Sequence, residues 1–130
     1  MIDCVGTVCV FVDNQDRAKE FYTNKLGFEL RTDQPLSPGA ANRWVAVAPK
    51  SAVTEIILYK VDENWEHYKG TVGKSQAITL NVTNMDAVYK DLKAKSVEFV
   101  SEPDPQPWGT YATIRDSEGN HLLLVQLPGL

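Results

Sequence analysis

The chain is short of the residues that carry many common chemistries. It holds two histidines and two cysteines in 130 residues. Cys4 and Cys9 lack the paired spacing of a zinc site. They fall on opposite faces of one strand-like run, so reduced thiols are expected rather than an intrastrand disulfide. No glycine-rich phosphate loop and no nucleophile elbow occur. Lys and Arg, 13 together, are outnumbered by 17 Asp and Glu, for a net charge of −4. The bases are scattered among acids, whereas a nucleic-acid partner requires a clustered basic face. No apolar run approaches the roughly 20 residues of a membrane span. The opening "MIDCVGTVCV" has no basic stretch before its apolar residues, so no signal peptide is expected. These absences predict a soluble, cytoplasmic protein without nucleic-acid or membrane partners.

What is present is enough for one domain with a real core. "VGTVCVFV" (5–12) is β-rich and apolar on both faces, like a buried strand. "DNQDRAKEFYTNKLGF" then offers Asp13 or Asn14 as a helix cap, helical spacing through Ala18, Phe21 and Tyr22, and Gly27 as a stop. Three strand candidates follow: "FELRT" (28–32), "RWVAVA" (43–48) and "TEIILYKV" (54–61). The order then starts again. "AITLNV" (77–82) is a strand, and Asn84 caps a helix carrying Met85, Val88, Tyr89 and Leu92 at i, i+3, i+4 and i+7. "VEFVS" (97–101), "TYATIR" (110–115) and "HLLLVQ" (121–126) complete the second set.

An offset of 70 places Val12 on Val82, Asn14 on Asn84 and Asp16 on Asp86, and an offset of 71 places Phe28 on Phe99. Each half is therefore expected to be a βαβββ module, module one at about 1–61 and module two at about 76–130. Two such modules close a core together. The linker, "DENWEHYKGTVGKS" (62–75), is predicted to hold a short helix at 63–69 with Trp65 beneath it.

The segments "CVFVDNQDRAKEFYTNKLGFEL", "RWVAVAP" and "PWGTYATIRDSEGNHLLLVQ", together with the duplicated βαβββ order, resemble the glyoxalase/bleomycin-resistance family, also called the vicinal oxygen chelate superfamily. The resemblance covers essentially the whole chain. It implies an α+β fold in which the two modules form a cupped mixed sheet, and it implies a homodimer. The fold alone does not select a function, because it hosts isomerases, dioxygenases and plain drug binders.

Metal-dependent members place His and Glu ligands on the first and last strand of each module. Such ligands suit a divalent transition metal with positions left open for substrate oxygens. The matching positions here are Thr7, Glu55, Ala77 and Leu123. Only Glu55 is a ligand-type side chain, so no metal site and no cofactor are expected.

Alternation assigns Val8, Val10, Val12, Ile56, Leu58, Ile78, Leu80, Leu122 and Leu124 to the helix side. It leaves Thr7, Cys9, Phe11, Glu55, Ile57, Tyr59, Ala77, Thr79, Asn81, His121, Leu123 and Val125 for a cavity of mixed character. Trp44, Tyr59, Trp108 and Tyr111 could supply stacking surfaces, or simply pack. "PWG" (107–109) poses its ring between proline and glycine. Glu55 in an apolar strand must face the cavity or an edge, since an unpaired charge in the core would cost several kcal/mol. His121 could move protons, or be a surface residue at a strand entrance. Arg43 could meet an anionic ligand or serve as a surface charge. His67 lies in the polar linker.

The reading is metal-independent binding or sequestration of a small amphipathic or aromatic molecule. Its expected contacts are Thr7, Cys9, Trp44, Tyr59, Trp108, Tyr111 and Leu123. The alternative is a small-molecule enzyme, of isomerase, lyase or dioxygenase type, using Glu55 or His121 as acid and base. A cavity-less structural module is a third reading.

Overall fold

The computed structural model of the protein describes residues 1–61 and 70–129. In module one, β1 (Thr7–Val12) leads into α1 (Gln15–Glu20), which continues as a π-helical turn (Phe21–Lys25). The strands β2 (Glu29–Pro35), β3 (Arg43–Ala48) and β4 (Glu55–Lys60) follow. Module two repeats the order with β5 (Ile78–Asn81), α2 (Met85–Ala94), β6 (Glu98–Gln106), β7 (Gly109–Arg115) and β8 (His121–Gln126). The strands form two four-stranded mixed sheets, ordered β1-β4-β3-β2 and β5-β8-β7-β6. In each, the first strand lies parallel to the last and the other pairs are antiparallel. This is the α+β fold of two βαβββ modules that the sequence order predicts.

Both helices start at asparagines: of the two caps offered for the first, Asp13 and Asn14, it is Asn14 that is used, and Asn84 caps the second as expected. Asn14 Oδ1 accepts from the Arg17 amide at 2.9 Å and Asn84 Oδ1 from the Ala87 amide at 3.1 Å. Each cap satisfies an amide that has no partner within the helix. The first helical segment ends as Gly27 takes φ 74°, and the Phe28 amide donates to Tyr22 O at 2.9 Å. A residue without Cβ makes that left-handed reversal at no steric cost.

Two strands run further than the sequence pattern predicts. β2 extends to Pro35, and β6 passes through Pro103 and Pro105 to Gln106. Both lie at sheet edges, where a strand pairs on one side only and a missing amide is tolerated. Register shifts in β6 fall on either side of Ser101. The predicted linker helix, Trp65 and His67 lie outside the described residues.

One apolar cluster joins the modules. Val10, Val12, Val45, Val47, Ile56 and Leu58 from the first sheet share it with Ala112, Ile114, Leu122 and Leu124 from the second. Phe21 and Tyr22 from the first helical segment and Met85 and Leu92 from α2 complete it. The strand faces assigned to the helix side are thus those that form the core. Polar contacts reinforce the joint: Ser75 Oγ accepts from the Phe11 amide at 2.9 Å, and Asn120 Nδ2 donates to Phe11 O at 2.8 Å. Among the described residues, no helix is long and apolar enough to cross a membrane.

Candidate functional site

The candidate residues fall on the sheet faces turned away from this core, in two groups. On the first sheet, Thr7 pairs with Glu55, Cys9 with Ile57 and Phe11 with Tyr59 across β1 and β4. Ala46 lies opposite Ile57, and Trp44 stands two residues before it on the same face of β3. The Phe11 and Tyr59 rings meet edge to face, with centroids 6.5 Å apart. Glu55 does not face this surface unpaired. Its Oε2 lies 3.4 Å from Arg31 Nη1, and its side chain is 26% exposed. Arg31 also donates to Glu29 at 2.8 Å and to the carbonyls of Pro49, Lys50 and Ala52 at 3.1–3.2 Å. Burial pushes the Cys9 thiol above its ordinary pKa, which disfavours the nucleophilic thiolate.

On the second sheet, Arg115 pairs with His121, Thr113 with Leu123 and Tyr111 with Val125 across β7 and β8. Gln106 pairs with Gly109, so Pro107 and Trp108 form a two-residue turn. Trp108 stacks on Tyr111 at 5.5 Å between centroids and remains 51% exposed. Gly109 is required at this turn. A Cβ there would stand 2.6 Å from Gln126 O, and its φ of 142° is one that other residues rarely adopt. His121 is exposed, with Nε2 3.4 Å from Arg115 Nη2. Arg115 in turn pairs with Glu98 at 2.7 Å.

Glu55 and His121 therefore stand on different sheets, and no described hydrogen bond or ion pair joins them. Arg43 is drawn into a cluster of its own, binding Asp33 at 2.8 Å and Asp16 at 2.6 Å. Its guanidinium holds the Asp33 carboxyl below the ordinary carboxylate range, with Lys19 adding to the effect.

The four positions that the sequence resemblance matches to metal ligands carry a donor set that does not fit a divalent ion. Thr7, Ala77 and Leu123 offer no carboxylate, imidazole or thiolate, and the Glu55 carboxylate is engaged by Arg31. Among the described residues, no three His, Cys, Asp or Glu side chains come together as a metal-holding group.

Two features escape the sequence reading. Arg31 is one, because its partners are up to 24 residues away in the chain. The other is an apolar cleft of about 810 Å3 on the helix side, between Val8 and Ile56 of module one and Ile78, Leu80 and Leu124 of module two. Of the residues that alternation leaves for a cavity, Thr79 and Asn81 line it; the candidate catalytic and ligand-contact residues do not. Strand alternation places those five side chains inside, and it carries no sign that the interior stays open there.

The family model described as Glyoxalase/Bleomycin resistance protein/Dioxygenase superfamily matches residues 5–124. A Bacillus subtilis (strain 168) protein, the uncharacterized YetH, is 36% identical over 124 residues, 95% of this chain and 98% of YetH. The crystal structure of TnmS3, described as an antibiotic binding protein from Streptomyces sp. CB03234, is 33% identical with a TM-score of 0.79, covering 97% of each chain. A superfamily member from Sphaerobacter thermophilus DSM 20745 is 30% identical with a TM-score of 0.81, covering 96% of this chain and 98% of that one. The chain therefore belongs to the glyoxalase/bleomycin resistance protein/dioxygenase superfamily.

Proposed function

We propose that the protein binds and sequesters an amphipathic, aromatic small molecule without a metal ion. One observation carries this reading. Trp108 is held by a glycine-locked turn at one end of the second sheet, stacked on Tyr111, and still half exposed. A posed, solvent-facing ring offers a ligand a large apolar surface at little ordering cost. The likeness to an antibiotic binding protein supports the same class of ligand. The poor metal donor set at Thr7, Glu55, Ala77 and Leu123 favours binding over metal-assisted turnover.

The working unit in this proposal is a homodimer. β1 and β5 are edge strands, each paired on one side only, and the chain before β1 exposes Ile2 and Val5. Strand edges without a neighbouring strand, beside exposed apolar side chains, are surfaces that a second copy can cover. Two free thiols, Cys4 and the partly desolvated Cys9, fit a reducing compartment, the cytoplasm.

The test is a tryptophan-fluorescence titration in chelator with metal-free bleomycin and with 1-anilinonaphthalene-8-sulfonate. Saturable binding that Trp108→Ala weakens about tenfold is expected. A requirement for stoichiometric metal, or a Trp108→Ala variant that binds like the parent, would count against it. Sedimentation equilibrium checks the dimer.

A further inference from the structure

The shared core is open along one side. Among the described residues, eight hydrophobic side chains pack against it while only partly buried, and seven of them line the cleft between the modules. Incomplete burial is thus concentrated at one place. Val8 of β1, Ile78 and Leu80 of β5 and Val88 of α2 line it together with Leu26 and Phe28. Its floor is Ile56, Leu92 and Leu124, each less than 5% exposed. At about 810 Å3 the cleft falls within the range of pockets that enclose a small organic ligand.

We infer that this cleft binds a straight-chain amphipathic anion, such as a medium-chain carboxylate, with its tail between the modules and its head at Lys50. The walls decide the tail. They are methyl-rich, and Phe28 is the one aromatic ring among the described lining residues, so the cleft suits an alkyl chain better than a planar ring system. The rim decides the head. Its charged side chains are Lys50 and Asp91. Asp91 is occupied by Lys95 at 3.0 Å, whereas Lys50 makes no ion pair among the described residues. The rim is also ordered in advance. Arg31 Nη2 donates to the carbonyls of Pro49, Lys50 and Ala52, so the segment carrying Lys50 is already held in place. Arg31 thus has a role outside the open faces, fixing one lip of the cleft.

The site is separate from the Trp108 surface, so the two proposals can fail separately. Isothermal titration with octanoate, decanoate and dodecanoate below their micellar concentrations provides the test. One molecule per chain is expected, tightening about fourfold per added methylene until the cleft is filled. Val88→Trp, which fills the cleft, should abolish binding. Lys50→Glu, at an exposed position that leaves packing untouched, should weaken decanoate about fivefold and leave decan-1-ol unchanged. Trp108→Ala should change neither. Absence of chain-length dependence, retention of binding in Val88→Trp, or loss of it in Trp108→Ala would overturn the assignment. So would a protein that binds no decanoate and whose dimer Val88→Trp dissociates, which would give the cleft to a second copy.

Discussion

The Tyr22 hydroxyl donates a 2.7 Å hydrogen bond to Asp116 Oδ2 in the buried joint between the modules. Tyr22 has no exposed surface, and Asp116 is 5% exposed. Burial, and after it the Asp116 charge, pushes the Tyr22 phenol well above its ordinary pKa, so it remains a donor at all moderate pH. Asp116 also accepts from the Glu118 and Asn120 amides, each at 2.8 Å, and from Asn120 Nδ2 at 3.1 Å. The turn that precedes β8 is therefore tied to the first helical segment through one carboxylate.

Tyr22→Phe tests this tie. It removes one donor, leaves the packing, and deprives a buried carboxylate oxygen of a partner. A loss of about 1–3 kcal/mol is expected, read by urea denaturation as a lower midpoint at unchanged slope. A change within about 0.5 kcal/mol would mean that Asn120 Nδ2 alone satisfies that oxygen.

Acid should loosen the same joint through Glu118. Burial raises its pKa, but Arg17 foremost, with the Asn14 amide, Ser117 and the Asp13 amide, outweighs burial and leaves it below the ordinary value of 4.5. Its carboxylate takes Arg17 Nε at 2.7 Å and the Asn14 amide at 2.8 Å. A carboxyl whose pKa is depressed by folding stabilises the fold above its unfolded pKa, and that contribution fades as pH falls through the folded value. Asp33, lowered by Arg43 and Lys19, acts with the same sign. Melting temperature should therefore drop below about pH 4.5, and Glu118→Gln should be less stable at neutral pH with a shallower acid fall. Parallel profiles for the two proteins would show that Glu118 has no part in the acid response.

Gly109→Ala should be costly out of proportion to one methyl group. The new Cβ would meet Gln126 O at 2.6 Å, with the Gln126–Leu127 backbone as the obstacle. A penalty of about 1–3 kcal/mol is expected from the φ alone, and more from the clash. The turn also poses Trp108, so the same variant should shift tryptophan emission and weaken aromatic ligands. Loss of stability with ligand binding intact would separate the turn from the site.

Much of the fold is legible in the residues. Asn14 and Asn84, spaced by the repeat offset, cap the two helices as their local pattern predicts, because a cap depends on neighbours within one turn. Strand faces are legible for the same reason, through alternation at a period of two. The tails of β2 and β6 are not, since Pro35, Pro103 and Pro105 signal a stop and only the sheet order shows that these strands lie at edges. Glu55 invites attention as an isolated charge. Its neutralisation by Arg31 depends on a long-range contact that no local pattern encodes. The open cleft is hidden more deeply, because Val8, Ile78 and Leu80 have the same periodicity whether the interior is filled or not.

Glu55→Gln separates a binder from a catalyst. The substitution keeps the shape of the side chain and removes its charge. Arg31 retains Glu29 and three carbonyls, so the fold should hold, with a change of about 0–1 kcal/mol for a partly exposed pair. If Glu55 serves binding, a cationic aromatic dye such as acridine orange should bind about fivefold more weakly, with neutral aromatic ligands unaffected. If Glu55 is a proton acceptor, a substrate should bind as before while its turnover falls by about a hundredfold or more, the usual scale of a lost general base. His121→Ala should alter neither outcome, because that ring stands on the other sheet beside Arg115. A loss of turnover in both variants would join the two residues in one reaction and move the protein from sequestration to catalysis.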